Sequence, residues 1–84
     1  MKNEINLARM EKGRTGVISS IIGGGKFLLK LESMGISPGS KVKKISSLFH
    51  RGPIVIHVRG MEVAIGYRMA RRILINPNPS ERSL

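Results

Sequence analysis

Eighty-four residues carry 15 lysines and arginines against five acids, a formal charge of +10, and no cysteine. That size supports one compact core and excludes two independent domains, and the lack of cysteine excludes disulfides, thiolate metal sites and thiol catalysis. The acids are all glutamates, at 4, 11, 32, 62 and 81, which leaves little material for acid–base chemistry, while the positive field favours anionic partners.

Residues 1 to 10 place Ile5, Leu7 and Met10 among polar neighbours and read equally as strand or loop. Lys12-Gly13-Arg14-Thr15-Gly16 is a turn-rich entry to a β-branched segment, Val17 to Ile22, predicted as a strand. Its apolar residues come in two pairs around two serines, which fits neither alternation nor a helix period, so either a bulge at Ser19-Ser20 or burial of both faces near one end is expected. Gly23-Gly24-Gly25-Lys26 invites a phosphate-loop reading. The nucleotide loop, however, needs an earlier glycine and a Ser or Thr after the lysine, where this chain has Ser20 and Phe27. A flexible connection into a helix is the better account, with free amides that suit an anion.

Phe27, Leu31 and Met34, with Leu28, set one apolar face of a helix of about two turns. Gly35 then supplies the positive φ of a C-terminal cap, and Ile36 its folding-back hydrophobic contact. Ser37-Pro38-Gly39-Ser40 has the composition of a type II turn. Ser40 to Ser47 is predicted as the next strand, with Val42 and Ile45 as its apolar members, lysines between them and an irregularity implied by the three-residue spacing. Leu48 to Pro53 reads as a loop, and Pro53 to Arg59 as a strand with Ile54, Ile56 and Val58 on one face. Gly60-Met61 suits a type II′ hairpin turn that would set Arg59 opposite Glu62. Met61 to Ile65 returns as a strand with Val63 and Ile65 inward, Gly66 to Ala70 makes one helical turn, and Arg72 to Asn76 forms a last short strand. From Pro77 to the end the chain is expected to be a mobile tail. The sum is mostly β, a small antiparallel barrel of about five strands, with one short α-helix between the first and second strands, in a single domain over residues 1–76.

These residues in this order resemble the FeoA family of small cytoplasmic ferrous iron transport proteins. The resemblance is carried by Leu7, Gly13, Gly16 and Ile18, the glycines at 23 to 25, and Leu31. It continues through Met34-Gly35-Ile36, Pro38-Gly39, Val42, Ile45 and Gly52-Pro53, then Ile54, Ile56, Val58, Gly60, Ala64-Ile65, Ala70, Ile73 and Ile75. The helix followed by Gly, Pro and Gly is its specific part. The resemblance implies an SH3-like barrel that is not itself a transporter, acts on the cytosolic GTPase domain of a membrane ferrous iron transporter, and shares its fold with the C-terminal part of metal-dependent repressors. Since no DNA-reading helix pair precedes the barrel, a free-standing member is expected rather than a repressor-type interaction domain.

No Ser-His-acid order or carboxylate pair can be assembled, so no enzymatic activity and no cofactor are expected. His50 and His57 lack further ligands at metal-site spacing, so no metal site is expected either. A binding module remains. The partner-binding candidates are Leu29, Lys30, Leu31 and Met34 on or beside the helix, with Arg51 in the loop, and Leu29 motivates the set because it does not share the core face with Leu28 and Leu31. The alternative is RNA. Lys12 to Ile18 is similar to the KOW-type entry of ribosomal SH3-like domains, although one tyrosine and two phenylalanines offer few stacking platforms. Apolar runs such as Val17 to Ile22 are far shorter than the roughly 20 residues of a membrane helix, and the N-terminus has no signal-peptide core. A cytoplasmic monomer or weak homo-oligomer, recruited to the membrane by its partner, is therefore expected.

Overall fold

The computed structural model describes residues 4–47 and 51–78. Its elements are β1 (Ile5–Asn6), β2 (Thr15–Ile21), α1 (Gly25–Ser33), β3 (Lys41–Ser47), β4 (Ile54–Val58), β5 (Met61–Ile65), α2 (Tyr67–Ala70) and β6 (Ile73–Pro77). Six strands form one sheet in the order β1-β6-β2-β3-β4-β5, every pair antiparallel. The sheet wraps a core to which Leu7, Ile18, Leu31, Ile36, Val42, Ile56, Ile65, Ile73 and Ile75 all contribute buried side chains. The mostly β, single-core architecture follows the sequence expectation, with one strand more: Ile5–Asn6 pairs with Ile75 and Leu74 and resolves the N-terminal segment as a strand followed by a turn. That addition places the long helix between the second and third strands.

Both irregularities are present, each as a register shift. β2 slips register against β6 between Ile18 and Ser20, which leaves Ser19 as the extra residue, its hydroxyl donating to the Leu74 carbonyl at 3.2 Å. The bulge lets Ile18 stay on the core side, but Ile22 beyond the strand is exposed, contrary to the apolar pair read there. β3 slips against β4 between Lys44 and Ser46. The outcome differs from expectation: Val42 and Lys44 keep strict alternation and point inward, both buried, and Ile45, taken up by the bulge, is only half-buried.

The β4–β5 hairpin also corrects the sequence reading. Val58 pairs with Met61 and His57 with Glu62, so the two-residue turn is Arg59-Gly60 and Glu62 faces a histidine rather than Arg59. Both turn residues have positive φ, 53° and 77°, the geometry of a type I′ turn, whose hand matches the twist of the flanking strands better than a turn begun at Gly60. The one-turn helix predicted after Gly66 is present as α2, and β6 takes in Pro77. The tail from 79 onward and His50 lie outside the described residues.

Candidate functional site

The segment from Gly23 to Ser40 is the chain's main departure from strand and hairpin. Gly24 stands at the N-cap of α1, and Phe27 in its first turn is half-buried against the core with the Arg72 guanidinium 5.0 Å from its ring centroid. This cation–π contact ties the helix start to the approach of β6. At the other end the cap is complete: Gly35 N–H donates to Glu32 O (3.0 Å) and Ile36 N–H to Leu31 O (2.9 Å), the paired bonds of a Schellman motif. Gly35 has φ 82°, and a Cβ there would lie 2.6 Å from Arg59 Cδ. Leu31 and Ile36, the residues joined by the second of these cap bonds, are both fully buried.

The Pro38-Gly39 turn follows at once. Ser40 N–H donates to Ser37 O at 2.9 Å and Gly39 has φ 94°, as type II geometry requires. Gly39 N–H donates to Ile18 O (2.8 Å) while Ile18 N–H donates to Ser40 O (2.9 Å), so the turn is pinned to β2. Ser40 Oγ donates to Gly35 O at 3.0 Å. The helix is thus held by its buried face and by both ends, which makes its outer face a rigid platform.

Leu29 is 65% exposed on that outer face, and Lys30 beside it is exposed. Leu31 has no exposure and belongs to the core, so it cannot itself meet a partner in this fold. Met34, at the helix C-cap, is half-buried and packs on the core. Arg51 is exposed but stands apart from this set: it lines a cleft with Asn6, Arg9, Tyr67, Arg68 and Arg71 at the α2 end of the molecule. The five residues proposed from sequence therefore divide between one exposed helix face, the core, and a separate cleft.

The sequence reading missed two features. One is Lys44, read only as one of the lysines between Val42 and Ile45 but 3% exposed. Its Nζ donates to the carbonyls of Leu7 (3.2 Å), Ala8 (2.9 Å) and Met10 (2.6 Å). An ammonium has three protons to donate, so the group is fully satisfied, and the turn after β1 is fastened to β3. Burial pushes its pKa below the ordinary lysine value, while the three carbonyls, by favouring the charged form, oppose that shift. The other is the convergence of Arg9, Arg51, Arg68 and Arg71. The spacing of Arg68 and Arg71 was visible; that Arg9 and Arg51 fold onto them was not.

His57 is exposed on β4, opposite Lys43 on one side and Glu62 on the other. Among the described residues no three His, Cys, Asp or Glu side chains gather as a metal site would require, and no helix is long and apolar enough to cross a membrane.

The chain is similar to a candidate Fe(2+) transport protein A of Methanocaldococcus jannaschii, at 35% identity over 69 residues, 82% of each chain. It is similar at 35% identity and a TM-score of 0.81 to a crystal structure of an iron uptake regulatory protein (FeoA), covering 89% of this chain and 97% of that one. A FeoA of Stenotrophomonas maltophilia solved with zinc, described as a procaryotic SH3 domain protein, shares the fold at 15% identity and a TM-score of 0.74, over 88% and 95% of the two chains. Residues 5–77 match the FeoA domain model, and the chain therefore belongs to the FeoA family.

Proposed function

We propose that this protein is a non-enzymatic accessory factor of ferrous iron uptake, cytoplasmic, that binds the cytosolic GTPase domain of a membrane ferrous iron transporter. Family membership supports the iron-transport setting. The observation that carries the binding role is Leu29, a large apolar side chain 65% exposed on a helix fixed at both ends. A single exposed leucine is common on protein surfaces; one held on a rigid, capped helix beside Lys30 offers a partner an apolar anchor with a charged rim, the composition of productive interfaces. The chain docks as a monomer or weak homo-oligomer and contributes no catalytic group.

Co-purification with the isolated cytosolic domain of the transporter tests the reading. Retention of that domain by this protein, with no nucleotide hydrolysis by this protein alone, is the expected result. Robust hydrolysis by the isolated chain would overturn the non-enzymatic assignment. RNA binding that falls steeply with salt, together with no retention of the transporter domain, would favour the RNA alternative.

A further inference from the structure

A broad cleft lies away from α1. It has a volume of about 890 Å³ and is lined by Asn6, Arg9, Arg51, Tyr67, Arg68 and Arg71, with Gly66 and Met69 between them. Among the described residues, four arginines and no acid line it. Guanidinium groups remain charged at any physiological pH and present a planar fork of donors that matches phosphoryl oxygens two at a time. Like charges gathered in a concave, lower-dielectric wall repel one another, so the arrangement costs stability unless an anion occupies it.

The backbone sets where Arg51 stands. Arg51 has φ 62°, the left-handed region, which costs a non-glycine residue about 1–2 kcal/mol. The other such residue, Arg59, is accounted for by its type I′ turn. Arg51 likewise belongs to a hairpin connection, the one closed by the Ser47–Ile54 pair of β3 and β4, and this turn sets it on the wall of the arginine cleft.

We propose that this cleft binds a small polyanion through its phosphoryl groups. Four fixed positive charges suit a triphosphate, whose charge near neutral pH is close to −4, and exceed what one or two carboxylates neutralise. Tyr67 and Met69, both half-buried against the core, give the cleft a partly apolar wall, and its size falls within the roughly 300–1,000 Å³ usual for small-ligand sites. A nucleic acid strand calls instead for a groove with successive aromatic platforms, and among the described residues the cleft lining contains one ring, Tyr67. The site is independent of the docking face on α1, so failure of either leaves the other standing.

Titration with inorganic tripolyphosphate, with ATP, and with a glutamate-rich peptide of equal charge, at about 0.15 M ionic strength, tests the proposal. Saturable one-to-one binding of tripolyphosphate is expected. The double variant Arg68→Gln/Arg71→Gln should weaken it about ten-fold or more, and the control Lys41→Gln/Lys43→Gln, on another surface, less than about two-fold, because bidentate contacts rather than net charge carry the binding. Arg51→Gly suits the positive φ, so it should fold at least as well as the parent, as a thermal melt will show, yet bind about three-fold more weakly. This variant decides the matter if the double variant fails to fold. Tighter binding of ATP than of tripolyphosphate would identify a nucleotide as the source of the phosphoryl groups, and equal binding an inorganic polyphosphate; both support the site. Equal weakening by the two double variants, unchanged binding by Arg51→Gly, peptide binding as tight as tripolyphosphate, or no saturable binding would each overturn it.

Discussion

A lysine two places along β3 from Val42 ends among three carbonyls of the N-terminal turn. Replacing it shows what a satisfied buried charge contributes. Lys44→Met removes the ammonium donor from two buried carbonyls and one part-buried carbonyl and should destabilise the protein by about 2–4 kcal/mol in urea unfolding. The pH dependence has a definite sign. Because the folded-state pKa is lowered, the unfolded chain binds more protons between that value and the ordinary lysine pKa. The parent should therefore gain stability relative to Lys44→Met as pH rises through that window, and the burial cost of the charge is complete below it. A flat or falling difference would show that the carbonyls outweigh burial. Leu31→Ala, at a fully buried position, should cost about 2–4 kcal/mol, whereas Leu29→Glu two residues away should change stability by less than about 0.5 kcal/mol. Chemical denaturation of the two variants checks this division between the helix's inner and outer faces.

At the scale of elements, the turns were the most legible features, because glycine and proline state their backbone demands locally. Gly35, Pro38 and Gly39 predicted a cap and a type II turn, and both are present with the expected hydrogen bonds. The bulge in β2 was legible from paired apolar residues around two serines. The bulge in β3 was half legible: the irregular spacing of Val42 and Ile45 was apparent, but which of Lys44 and Ile45 turns inward depends on carbonyls contributed by a segment more than thirty positions away. The hairpin turn was misplaced by one residue because an arginine at positive φ is not a turn signal; only the register with β4 reveals it. Gly16 shows how packing adds demands that conformation does not. Its φ is not positive, yet a Cβ there would sit 2.7 Å from Asn76 O and crowd the Ile75 side chain. Gly16→Ala should force β2 and β6 apart at a cost of about 1–3 kcal/mol, measurable as a lowered melting temperature.

On the scale of the whole molecule, the charge of +10 was plain from composition, and its distribution was not. Folding concentrates four arginines from the N-terminal turn, the approach to β4, and α2 with its following turn on one cleft, while Lys41, Lys43, His57 and Arg59 border another surface around β3 and β4. The apolar framework, by contrast, was readable almost position by position, since Ile54, Ile56 and Val58 or Ile73 and Ile75 declare a buried face by alternation alone. Long-range convergence of exposed charges leaves no such periodic trace. The same reason separates Arg51 from Leu29: sequence reading grouped them as one docking surface, and topology places them on different faces of the molecule. The proposed docking of the outer face of α1 on the transporter rests on Leu29. It is tested most directly by calorimetric titration of the transporter's cytosolic domain with the parent protein and with Leu29→Glu. Saturable binding by the parent, weakened about ten-fold or more by a charge buried at an apolar anchor, is the predicted result; equal affinity of a folded Leu29→Glu variant would contradict it.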